Sequence, residues 1–154
     1  MLTFPLTIRP VRAEDFPAWH PLWIDYNAFY GHEGATALPL DITRTTWSRF
    51  LDADEPMHAL VAERDGQLLG LMHFVFHRGT SSLTPICYLE DLFTVDTGRG
   101  QGVGRALIEA VYQHTQAVGS QRVYWQTHET NVVAMRLYDS VAKNSGFVIY
   151  QKSL

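Results

Sequence analysis

The sequence predicts a protein of the α/β class, an α+β arrangement in which a hairpin-containing mixed sheet carries helices packed on it. Three observations lead there. Two apolar runs, MHALVAER and QLLGLMHFVFHR, flank Asp65-Gly66, a dipeptide that favours a tight two-residue hairpin turn. A third run, ICYLEDLFTV, is rich in β-branched and aromatic residues and leads straight into the glycine-rich VDTGRGQGVGRAL. Beyond the glycines, apolar residues recur at helical rather than strand spacing.

Taken in order, Leu6 to Arg9 reads as a first strand ending at Pro10. Ala13 to Tyr30 follows as a helix, since Phe16, Trp19, Leu22, Trp23, Tyr26 and Phe29 recur on one side, and Gly31 and Gly34 break it. A second helix spans Asp41 to Leu51, with Asp41 as its N-cap. The hairpin strands come next, then ICYLEDLFTV. Val103, Leu107, Ala110, Val111 and Val118 form a helical stripe for which Gly119 is a fitting stop. RVYWQT is a strand, and Asn131 to Asn144 is a helix with Val133, Leu137 and Val141 on one face, stopped by Gly146. FVIYQK closes the chain as a last strand. The order is β-α-α-β-β-β-α-β-α-β. No repeat or linker interrupts it, so residues 1–154 read as one domain.

Composition narrows the function classes. The net charge is -4 at pH 7, and lysine occurs only at Lys143 and Lys152. With no basic run, a nucleic-acid partner has no electrostatic support. No apolar run reaches the ~20 residues of a membrane helix, and MLTFPLTIRP lacks a basic stretch followed by an apolar one. One cysteine, Cys87, leaves no internal disulfide and fits a reducing cytoplasm. The seven histidines show no H-E-x-x-H spacing, and the one H-x-x-x-H pair, His73 and His77, falls in a run read as a strand, so no metal site is expected.

The glycines carry the first functional signal. Glycine alternates from Gly98 to Gly104 between a strand and a helix. Such a turn exposes the N–H groups of the first helical turn, and the helix dipole adds positive character, so it can cradle an anion. Counting excludes two familiar versions. No third glycine falls five residues after Gly98 or Gly100, and no lysine stands nearby for a G-x-x-x-x-G-K-[ST] loop. What remains is Arg99-x-x-Gly102-x-Gly104, with Arg105 beside it. From the loop alone, a phosphate cradle and a simple bend stand level.

YLEDLFTV, then RGQGVG, then YWQTHETNVVAMRLYD together resemble the GCN5-related N-acetyltransferases, and the resemblance covers most of the chain. The last stretch, with SVAKNSGFVIY, resembles Hpa2-like and diamine acetyltransferases. The resemblance implies acetyl-CoA as co-substrate and a mostly antiparallel twisted sheet, flanked by about four helices. Its fourth and fifth strands would splay to admit the pantetheine arm. Phe93, Thr94 and Val95 would face that arm, while Arg99, Gly100, Gln101, Gly102, Val103, Gly104 and Arg105 form the pyrophosphate loop. Asn131 would contact the cofactor, and the small Ala134 would leave it room. A homodimer, through the C-terminal strand, is also implied.

Acetyl transfer to an amine poses two proton problems. An alkylammonium, with a pKa near ~10.4, must lose a proton before it attacks, and the departing thiolate is best protonated. Glu90 and Asp91 are the carboxylates at hand. On a regular strand they face opposite ways, Glu90 with Tyr88, Leu92 and Thr94, Asp91 with Phe93 and Val95, unless a bulge intervenes. The resemblance favours Glu90 as base, leaving Asp91 to hold the amine or pair with arginine. Asn131, Ala134 and Tyr138 share one side of a helix, and the resemblance makes Tyr138 the general acid.

Cys87 has no recognisable histidine partner, so it reads as a buried, inert thiol rather than a nucleophile. Asp25, Tyr26 and Tyr30, at the end of the first long helix, offer an acidic and aromatic wall for an alkylammonium. His128, just past RVYWQT, is a further acceptor-side candidate. The acceptor expected is a polyamine, another small amine or a protein lysine. The rival from another class is a non-catalytic acyl-CoA sensor or scaffold, which would need the loop but neither Glu90 nor Tyr138.

Overall fold

Five strands and four helices make up the protein in its computed structural model, which describes residues 3–154. Met1 and Leu2, the start of the stretch read for a leader, lie outside the described residues. The strands are β1 (Thr7–Pro10), β2 (Met57–Arg64), β3 (Gln67–His77), β4 (Ile86–Thr94) and β5 (Val123–Tyr124). The helices are α1 (Phe16–Phe29), α2 (Leu40–Leu51), α3 (Val103–Ala117) and α4 (Val132–Val141). One sheet runs β1-β2-β3-β4-β5, antiparallel throughout except for the parallel β4–β5 pair. Among the described residues, no helix is long and apolar enough to cross a membrane.

Local chemistry accounts for the element boundaries. Asp65 and Gly66 both take positive φ, 51° and 72°, as a type I′ hairpin turn between β2 and β3 requires. After α3, Gly119 donates to the carbonyl of Gln116 and Ser120 to that of Thr115, the paired bonds of a Schellman ending. Pro39, not Asp41, occupies the N-cap of α2. Asp41 instead sits in the first turn, where its carboxylate accepts from the Ile42 amide and faces the positive end of the helix.

Alternation along the strands divides the core between the two faces of the sheet. Leu60, Ala62, Met72 and Phe74 pack with Val103, Leu107, Ile108 and Val111 of α3. Val61 and Leu71 pack on the other face with Trp19, Leu22 and Trp23 of α1 and Trp47 of α2. Each such apolar side chain taken fully from water contributes ~1.5–3 kcal/mol, so the tryptophan-rich face anchors α1 firmly.

Two expectations about the sheet are corrected. RVYWQT supplies only the two-residue β5, paired as Cys87 with Val123 and Tyr88 with Tyr124. The expected last strand, FVIYQK, does not form. Helix α4 ends at Val141, with Ala142 already extended, earlier than the expected stop at Gly146. The segment after it finds no strand to pair with among the described residues, leaving Phe147 87% and Tyr150 93% exposed. Strand composition alone does not make a strand, because the ladder needs a partner.

Candidate active site

Register decides where the two carboxylates go. His73 pairs with Asp91, but the next residue, Phe74, pairs with Leu89, so Glu90 is an extra residue in β4. This is a β-bulge. Its effect is visible in the core: Cys87 and Leu89 pack on the α3 face, whereas Phe93 packs with the α1 face. Odd-numbered positions therefore change sides across Glu90, and Tyr88 does not share a face with Leu92 as strict alternation required. Both Glu90 and Asp91 line one pocket.

That pocket opens where β4 and β5 part. Leu89, Glu90, Asp91 and Leu92 come from β4, and Trp125 and Gln126 from the chain just after β5. Tyr26 and Tyr30 of α1, Ile108 of α3 and Tyr138 of α4 complete it. Tyr138 meets Trp125 edge-on, with ring centroids 5.5 Å apart at 70°. Removal from water and the neighbouring carboxylate of Asp91 both push the Glu90 carboxyl up. Burial, then the nearby Tyr30, pushes the Tyr138 phenol up. Burial and the nearby charge of Asp91 push Tyr26 up as well. Among the described residues, no arginine or lysine pairs with Glu90 or Asp91.

At its other end β4 feeds the glycine loop. Among the described residues, the backbone N–H groups from Gly100 to Arg105 donate to no protein acceptor; the first bonded amide is Ala106, to Gly102. Gly100 and Gly102 take φ of 71° and 78°, and a Cβ on either would meet nothing within 4 Å. Glycine is needed there for backbone shape, and the space above stays open. Gly104 is different, because a Cβ would stand 3.1 Å from Leu137 Cδ2 where α3 meets α4. The loop is braced from below, Gln101 donating to the Thr97 carbonyl over 2.6 Å and accepting from Arg64. A row of free donors at a helix N-terminus, open above and braced below, fits a pyrophosphate.

The remaining expected residues are placed as follows. Phe93 and Val95 pack against the α1 face, and Thr94 lies beside Gly98 and Gly104. Arg99 makes an exposed 3.3 Å pair with Asp96, and Arg105 donates to Ser140 over 2.7 Å. Asn131 stands at the N-cap position of α4 without a side-chain capping bond and donates to Thr127 Oγ1 at 3.3 Å, and Ala134 is half-buried a turn later. Asp25 and His128 are exposed and line no part of the pocket; His128 bonds Thr130 instead. Cys87 is fully buried. Sequence reasoning missed Trp125, Gln126, Arg64 and the buried His73, whose only mark was one polar ring in the apolar run LLGLMHFVF.

Residues 16–142 match the model of the acetyltransferase (GNAT) family. The chain belongs to that family. The D-amino-acid N-acetyltransferase HPA3 of Saccharomyces cerevisiae is 30% identical over 155 residues, covering 99% of this chain and 94% of its own. The phosphinothricin N-acetyltransferase of Alcaligenes faecalis is 37% identical over 111 residues, 66% of this chain and 51% of that one. In fold, the chain is similar to the aminoglycoside N-acetyltransferase AAC(6')-Iy in complex with CoA. That structure has a TM-score of 0.81 at 20% identity, with 99% of this chain and 97% of that one covered. The GNAT acetyltransferase domain of this chain thus has the α/β fold, with a mixed sheet, that its sequence predicts.

Proposed function

We propose that this acetyltransferase moves the acetyl group of acetyl-CoA directly to a small primary amine, with both substrates bound together. One observation carries the reading: the bulge at Glu90 turns two carboxylates, without an arginine or lysine partner among the described residues, into one pocket shared with Tyr138. Such a pocket attracts an alkylammonium, and Tyr26 and Tyr30 add aromatic faces to it. The free amides from Gly100 to Arg105 support a pyrophosphate there, with Phe93, Thr94 and Val95 along the pantetheine arm. When bound, acetyl-CoA supplies the acyl group as a thioester.

The side chains then divide the proton work. Asp91 is already engaged by His73, which suits it to holding the ammonium. Glu90, exposed to the pocket and pushed up by its surroundings, accepts the ammonium proton so that the nitrogen can form its bond to the acetyl carbon. Tyr138, kept protonated by burial, gives its proton to the sulfur as the carbon–sulfur bond breaks, and the second proton shed by the nitrogen as the amide forms restores the phenol.

The likeness to a D-amino-acid N-acetyltransferase over nearly the whole chain puts D-amino acids first among acceptors. The test incubates acetyl-CoA with a D-amino acid, propane-1,3-diamine, phosphinothricin and an Nα-blocked lysine, and follows thiol release. Turnover on at least one is expected. Tight CoA binding with no thiol released on any amine would overturn the proposal in favour of a cofactor sensor.

A further inference from the structure

The amine-acetylating reading leaves one buried histidine without a task. His73 lies in the middle of β3, 2% exposed, among the rings of Trp19, Trp23 and Phe50 at centroid distances of 5.8, 5.1 and 4.5 Å. A polar ring in such surroundings must have both nitrogens satisfied. Both are. Its Nε2 is 3.1 Å from Trp19 Nε1, and its Nδ1 is 2.9 Å from Asp91 Oδ2.

The partners fix the tautomer. An indole N–H only donates, so His73 Nε2 must be the bare, accepting nitrogen. The ring proton then sits on Nδ1 and is donated to Asp91. Protonating Nε2 would set two N–H groups against each other across 3.1 Å in a dry aromatic cage. The contact is therefore a hydrogen bond to a carboxylate and not an ion pair, and it leaves the Asp91 charge unneutralised. Among the described residues, no arginine or lysine neutralises it either.

We infer that His73 is a positioning residue: with its tautomer set by Trp19, it holds Asp91 so that an uncompensated carboxylate faces the acceptor's ammonium. This inference rests on the amine acceptor proposed above. An arginine in the same place would hold Asp91 equally well and cancel the charge that the ammonium needs. A histidine free to switch tautomers would present its bare nitrogen to the carboxylate and repel it. The indole removes that freedom. Recognition of a cationic amine thus depends on a chain of three side chains that starts on α1, crosses β3 and ends at the bulge of β4.

Two polar variants separate this role from simple packing. The amide nitrogen of asparagine lies near the position of Nδ1, and that of glutamine near Nε2. H73N therefore keeps a donor to Asp91, and H73Q moves it to the Trp19 side. Both are read by steady-state kinetics with acetyl-CoA and whichever amine of the panel gives the best turnover. H73Q should raise the KM for the amine roughly 10- to 100-fold, the loss of one hydrogen bond to a charged group, with the KM for acetyl-CoA changed less than about twofold. H73N should stay within about threefold of the unaltered protein, and on a D91N background the two variants should be alike. Equal amine KM values for H73N and H73Q, or a difference that survives D91N, would overturn the inference. If no amine is turned over, the proposed function falls by itself. Imidazole ¹⁵N resonances then decide the His73 assignment: a protonated Nδ1 with a bare Nε2 supports it, and a protonated Nε2 removes it.

Discussion

Substituting Gly102 with alanine separates what the glycine loop needs for folding from what it needs for binding. Gly102 sits at φ 78°, ψ 12°, the left-handed region, where an L side chain costs about 1–2 kcal/mol. The added Cβ meets no atom within 4 Å, so no clash adds to that figure. For a chain of this length, each kcal/mol lowers Tm by roughly 2–4 °C, so G102A should melt only a few degrees lower. Binding should suffer more. The methyl group would occupy open space in the middle of the free amides from Gly100 to Arg105 that are proposed to hold the pyrophosphate. Losing one such charge-assisted bond costs about 1.5–3 kcal/mol, or roughly 10- to 100-fold in CoA affinity. Calorimetric titration with CoA, beside a thermal melt, measures both. Undiminished CoA affinity in a folded G102A protein would show that the phosphates lie elsewhere. A loss of stability well beyond 2 kcal/mol would refute the claim that the methyl meets only open space.

Gly70→Ala should behave in the opposite way, because its Cβ would stand 2.8 Å from the Phe93 carbonyl and 3.0 Å from Val103 Cγ1. Expect ~1–3 kcal/mol of lost stability in denaturant unfolding, from overpacking between sheet and α3. Glu90→Gln should lower kcat by roughly 10²–10⁴. Since the Glu90 carboxyl is pushed up and must be deprotonated to act, the acid limb of kcat/KM should lie above the ordinary carboxylate range and vanish in E90Q. Tyr138→Phe should lower kcat with little change in acetyl-CoA affinity, and an unchanged kcat would remove Tyr138 from the acid role. Asp15 is held by Arg9 through bonds of 2.7 and 2.9 Å, which lowers its pKa in the folded protein. Its stabilisation is present above the unfolded value and disappears as pH falls through the folded one, so D15N should cost about 1.5–3 kcal/mol at pH 7 and progressively less in acid.

Features set by short-range chemistry were legible in the sequence. Asp65-Gly66 carries its turn in two residues, and the loop from Gly98 to Gly104 carries its backbone shape in its glycines. Features set by pairing were not. FVIYQK has strand composition, yet nothing in the six residues says whether a neighbour will be present, and among the described residues none is. His73 is paired with Trp19 at a separation of 54 residues and with Asp91 at 18, so no local window contains the network. Asp25 looked like part of the acceptor wall because it adjoins Tyr26, but neighbours on a helix point about 100° apart, and only Tyr26 turns inward.

The bulge shows why the site could be named more surely than it could be built. Regular alternation would have sent Asp91 to the opposite side from Glu90 and kept Tyr88, Glu90 and Leu92 together. One unpaired residue reverses the parity of everything beyond it, leaving Leu89 with the α3 core and bringing Asp91 to His73 on the α1 face. Glu90, freed from the ladder, can turn into the same opening. No residue type marks a bulge of this kind, and both Glu90 and Asp91 are poor strand formers whichever way they face. The irregularity nonetheless does three things in this chain. It sets two carboxylates side by side, so that Asp91 raises the cost of charge on Glu90. It ties one of them to a buried histidine and leaves the other free to take up a proton. It also changes the strand's facing just before Phe93, Thr94 and Val95 run into the loop. A regular β4 could supply any one of these with a different sequence, but not all three with this one.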